Sequence, residues 1–120
     1  MILGIDLDNT IGSFPQAFQT LCSAMVQAGH SVYVISGADT DQDDEIDAAT
    51  VQGKKDMLTA LGFGPGTYTQ LIIVPRPHPK NKAAKIAELG VHMYVDNKAK
   101  TTKKASQHAA SLLLVNSKEK

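Results

Sequence analysis

Five short apolar runs limit what this chain can fold into. They are Ile2-Leu3-Gly4-Ile5, Ser31 to Ile35, Gln70 to Val74, Val91 to Val95 and Ser111 to Val115, bulky or β-branched throughout most of their length. Runs of that length read as buried strands, and the stretches between them are long enough to hold helices. Strands so far apart are joined by crossovers rather than hairpins. Strand–helix alternation predicts an α/β fold: a three-layer, Rossmann-like arrangement with a five-stranded parallel sheet and right-handed connections. At 120 residues the chain is expected to be one domain spanning 1–120, able to bury a single core.

Helix signals fill the gaps. Ser13-Phe14-Pro15-Gln16 reads as a helix start, with serine as the cap and proline in the first turn. Phe14, Phe18, Leu21, Cys22, Met25 and Val26 then recur at helical spacing, and Gly29 is the stop. A second helix is expected to run to about Leu61. Pro75-Arg76-Pro77-His78-Pro79 reads as a stiff extended loop, with Asn81 capping the third helix up to Gly90. A lysine-rich fourth helix is expected over roughly Ala99 to Ala109, and residues 116–120 as a frayed tail.

The 12 basic and 12 acidic residues balance, but they are unevenly placed. Residues 1–75 sum to −7 and residues 76–120 to +7, an asymmetry that can steer an anionic partner or simply reflect solvated faces. No run is long enough to span a bilayer and no leader is visible, so a cytoplasmic protein without membrane attachment is expected. The lone Cys22 suits a reducing compartment. Asp39 to Asp47 imitates the start of a calcium loop. Asp44 replaces its turn glycine, however, and Thr50 its bidentate glutamate, so a solvated, helix-capping loop is the preferred reading.

The chemistry-bearing residues lie where strands end. Asp6 and Asp8 follow the first strand, Ser36-Gly37 the second, Lys80 and Lys82 open the helix after the third, and Asp96-Asn97 follow the fourth. The carboxyl ends of parallel strands form the ligand crevice of such sheets. Two neighbouring acids are costly without a cation, and Mg²⁺ prefers one or two carboxylates with water and phosphate oxygens. A carboxylate can attack phosphorus, a second can move the proton, and a hydroxyl with a lysine can hold the phosphoryl oxygens.

These residues resemble the motifs of the haloacid dehalogenase-like superfamily of phosphatases. Asp6-Leu7-Asp8-Asn9-Thr10-Ile11 resembles its first motif, Val34-Ile35-Ser36 its second, Lys82 its third (Lys80 being the competing choice) and Tyr94-Val95-Asp96 its fourth. The resemblance implies a cap-less, Mg²⁺-dependent phosphohydrolase. Asp6 would be the nucleophile that forms an aspartyl-phosphate, Asp8 the general acid/base, and Asp6, Asp8 and Asp96 the metal ligands. Thr10, Ser36, Gly37 and Lys82 would bind phosphate, with Lys82 also stabilising the phosphoryl intermediate. Asn97, Arg76 and Lys80 would support the site or touch substrate.

Two departures qualify the resemblance. Asn97 stands where the family usually has a second acid, and the chain has no room for an inserted cap. An open site can admit a nucleotide, a phosphorylated nucleic-acid end or another phosphoester, or a second subunit could close it. The competing expectation is a catalytically weak binding protein holding a polyanion through Lys98, Lys100, Lys103 and Lys104.

Overall fold

The computed structural model describes residues 1–115; the expected tail, 116–120, lies outside the described residues. Strand β1 (Ile2–Asp6) is the middle of the sheet, and its apolar residues are the reason. Leu3 and Ile5 face one helical layer, while Gly4 lets Tyr94 and Ile35 close in on the other, within 3.1–3.4 Å of where a Cβ would stand. β2 (Ser31–Gly37) and β3 (Gln70–Val74) lie to one side; β4 (Met93–Asp96) and β5 (Ala110–Leu113) lie to the other. The order is β3-β2-β1-β4-β5, with every pairing parallel. The expected α/β architecture of five parallel strands between two helical layers is what the structure has.

Helices α1 (Pro15–Gln27) and α2 (Ala48–Ala60) cover one face, where Cys22 and Leu58 join Leu3, Ile5, Val32, Val34 and Val95 in the larger core. α3 (His78–Leu89) and α4 (Ala99–Ala105) cover the other, where Ile86 and Ala105 pack with Ile35, Val91 and Tyr94. Connections run outward from β1 through β2 to β3, then cross back to β4. The winding therefore reverses between β1 and β4, the place where ligands bind in sheets of this kind.

Some local expectations need correction. Phe14, not Ser13, occupies the cap position of α1, without a side-chain cap bond. The proline-rich stretch is not loop throughout: His78 and Pro79 already form the first turn of α3, with Pro77 at the cap. Proline is tolerated there because the first N–H groups of a helix have no intrahelical acceptor. Asn81 therefore sits inside the helix, and its Nδ2 donates to Pro75 O at 2.9 Å. α4 ends at Ala105, short of Ala109, and β5 covers Ala110–Leu113 rather than 111–115. Asp47 does cap α2, accepting from Thr50 N at 2.8 Å. Among the described residues, no helix is long and apolar enough to cross a membrane.

Candidate functional site

At the carboxyl ends of β1 and β4, two carboxyl groups converge on one ammonium. Lys82 Nζ, carried by α3, lies 2.6 Å from Asp6 Oδ1 and 3.4 Å from Asp96 Oδ2. All three side chains are buried. Strand alternation explains the meeting: Asp6 pairs in register with Ile35, and Asp96 follows Tyr94 by two residues, so both acids face the α3/α4 layer. Lys82 is one helical turn from His78 and half-way to Ile86, on the side of α3 that packs inward.

The remaining lone pairs are largely occupied. Thr10 Oγ1 donates to Asp6 Oδ2 (3.1 Å) and also reaches Asn97 Oδ1 (3.3 Å). Tyr94 Oη donates to Asp96 Oδ2, and Lys98 N to Asp96 Oδ1 at 3.0 Å. Burial pushes the Asp6 carboxyl up to about 6, against the pull of Lys82 and with the Asp96 charge adding to the rise. Burial also holds the Tyr94 hydroxyl well above the ordinary phenol range, helped by Asp96, so it acts as a hydrogen-bond donor.

Between Asp6 and α1 the chain makes one wide turn, Leu7–Ile11, closed by Gly12 N donating to Leu7 O at 3.0 Å. Asn9 takes the left-handed conformation there (φ 62°), which asparagine tolerates better than most residues. The turn sends Asp8 outward. Its carboxylate meets Lys54 Nζ of α2 at 3.1 Å.

These groups wall a pocket of about 220 Å³, lined among others by Asp6, Asp8, Gly37, Lys54, His78, Lys82, Asn97 and Lys98. Gly37 is required by its neighbour: a Cβ there would stand 2.6 Å from three atoms of the His78 ring. The ring is tethered by Nε2, which donates to Ala38 O at 2.7 Å. Since a carbonyl can only accept, Nε2 carries the proton.

The other sequence-predicted residues fall as follows. Thr10 is fully buried behind Asp6. Ser36 has the parity of Val32 and Val34, which face the α1/α2 layer, and is not among the pocket's lining residues. Its Oγ is buried with no hydrogen-bond partner among the described residues. Of the two competing lysines, Lys82 is the one at Asp6, and Lys80 is exposed. Arg76 binds the loop after β2: its backbone N donates to Thr40 O (2.8 Å), Nη2 to Asp39 O (3.2 Å), and Nε pairs with Asp41 (3.2 Å). Sequence reasoning missed Lys54, for which no motif gave a signal. It noted His78 only as a loop residue on the rim, although a histidine opening a helix beside a strand-end glycine was a usable clue.

Among the described residues no group of three or more His, Cys, Asp and Glu is gathered as for a metal ion. The pocket itself is lined by the carboxylates of Asp6, Asp8 and Asp39, and Mg²⁺ commonly takes one or two carboxylates and fills its shell with water and ligand oxygens. Asp96 lies fully buried against Lys82 and is not among the lining residues.

No family model matches the chain, and no curated protein matches it. A solved structure that matches is described as a protein from the universal stress protein family from Burkholderia pseudomallei. It is 13% identical, with a TM-score of 0.47, over 89% of this chain and 88% of that one. That family is not the haloacid dehalogenase-like superfamily.

The expectation of membership drawn from the motifs is corrected accordingly. So are the assignments that rested on it: hydrolase, phosphatase, and an enzyme working through an aspartyl-phosphate. Within the site, Asp6 pairs with Lys82 and Asp8 with Lys54. A TM-score of 0.47 transfers nothing of the stress-protein family's function to this chain.

Proposed function

We propose that the rim pocket binds a divalent cation together with a phosphate-bearing small ligand. The observation that carries this reading is the pair of buried carboxyl groups, Asp6 and Asp96, sharing the single ammonium of Lys82, with Asp6 and Lys82 lining the pocket and Asp96 fully buried behind them. With both carboxyls ionised the group holds one excess negative charge out of water, which favours uptake of a cation. Lys54 and Lys98 line the same space and suit an anion that the cation helps to neutralise. The volume of about 220 Å³ matches a phosphoryl group better than a large molecule.

In this reading Asp6 and Asp96 hold the ion, which supplies charge neutralisation when bound. Lys82, Lys54 and Asn97 orient the phosphoryl oxygens, and Thr10 and Tyr94 fix the two carboxyl groups by hydrogen bonds. Amide resonances of the labelled protein, followed during addition of Mg²⁺ and then inorganic phosphate, test it. The expected result is a saturable shift at residues 6–12, 37 and 96–98. Shifts confined to the acidic 39–47 loop, or none, would contradict the reading.

A further inference from the structure

Against the rim pocket lies a second cleft of about 320 Å³, lined by Gly37, Ala38, Asp39, Thr40, Thr50 and Lys54. Gly37, Asp39 and Lys54 line both spaces, so pocket and cleft adjoin. One wall of the cleft, the loop after β2, is held from behind. Ala38 N donates to Val74 O at 2.9 Å, Arg76 N to Thr40 O at 2.8 Å and Arg76 Nη2 to Asp39 O at 3.2 Å. Arg76 Nε also pairs with Asp41 at 3.2 Å. Such a wall is formed before any ligand arrives, as in most small-molecule sites.

One polar group in that wall is unspent. Thr40 Oγ1 is shut off from solvent and has no hydrogen-bond partner among the described residues. Buried hydroxyls are normally satisfied, and Thr40 is one of the residues that line the cleft. The Asp39 carboxylate offers acceptors beside it, and no aromatic side chain lines the cleft.

We propose that this outer cleft is a subsite for the hydroxyl-bearing body of the ligand, a sugar or polyol phosphate whose phosphoryl end lies in the rim pocket. The proposal rests on the reading of that pocket given above. Asp39 accepts from ligand hydroxyls, and Thr40 Oγ1 gains the partner it lacks. Lys54 lies where phosphoryl group and body join. A nucleobase finds no stacking surface here.

Calorimetry on the full chain with Mg²⁺ separates this proposal from the reading beneath it, using methyl phosphate and ribose 5-phosphate as probes. Ribose 5-phosphate is expected to bind about tenfold more tightly, the worth of one or two net hydrogen bonds. Thr40→Val should bring it to within about threefold of methyl phosphate, leaving the affinity for methyl phosphate unchanged. Equal affinities in the wild type, or an unaltered preference in Thr40→Val, would overturn the subsite alone. Failure of both compounds to bind would overturn the subsite and the anion reading together. Should Thr40→Val not fold, wild-type amide shifts at residues 38–41 decide. Movement with ribose 5-phosphate but not methyl phosphate supports the subsite, and identical responses overturn it.

Discussion

Lys82 Nζ sits 2.6 Å from Asp6 Oδ1, and both side chains are almost completely withdrawn from water. The contact ties α3 to the end of the central strand and holds a charge that neither partner could keep alone. Removing one member of a buried pair leaves the other uncompensated, at a cost of about 3–5 kcal/mol.

Lys82→Met is therefore expected to lose stability of that order, read as a lower urea midpoint at unchanged slope. In the proposed reading millimolar Mg²⁺ restores part of the loss, because the ion takes the place of the ammonium between Asp6 and Asp96. A variant as stable as wild type without metal would show the pair to be energetically idle.

The raised Asp6 carboxyl sets a pH dependence of defined sign. Its folded value of about 6 lies above the unfolded 3.8, so the folded state binds the proton more tightly. The corresponding stability is complete below about 4 and is lost as pH rises through about 6. Relative to Asp6→Asn, metal-free wild type should lose about 3 kcal/mol across that window. Excess Mg²⁺ should oppose the loss, since the ion binds the ionised form. Urea titrations at several pH values check both signs, and a difference that grows in the opposite direction contradicts the assignment.

Gly37 and His78 make a second coupled pair. Gly37→Ala places a methyl 2.6 Å from the ring and is expected to cost about 1–3 kcal/mol. In the double variant with His78→Ala most of that cost should vanish, giving a coupling energy of at least about 1 kcal/mol. Additive losses would place the strain elsewhere.

The strand runs, the order of helices and the rim were legible because apolar periodicity and strand-end acids are local signals. At that rim Lys82 meets both Asp6 and Asp96. What was not legible depends on register and helix rotation. Ser36 ends the right strand, but its parity with Val32 and Val34 turns it to the α1/α2 layer. A strand-end argument fixes the rim without fixing the face. Lys54 could not be found because only Leu58 of α2 is buried. So sparse an apolar pattern does not say which lysine will meet Asp8. His78 was read as loop because prolines flank it, although a proline in the first helical turn costs nothing in backbone bonding.

Coupled binding of Mg²⁺ and inorganic phosphate, measured by calorimetry on wild type and Asp96→Asn, tests the central claim most directly. The account predicts that each ligand tightens the other by the same factor, about tenfold or more, and that Asp96→Asn abolishes the coupling while remaining folded. Phosphate affinity that is indifferent to Mg²⁺, or coupling that survives in Asp96→Asn, would contradict it.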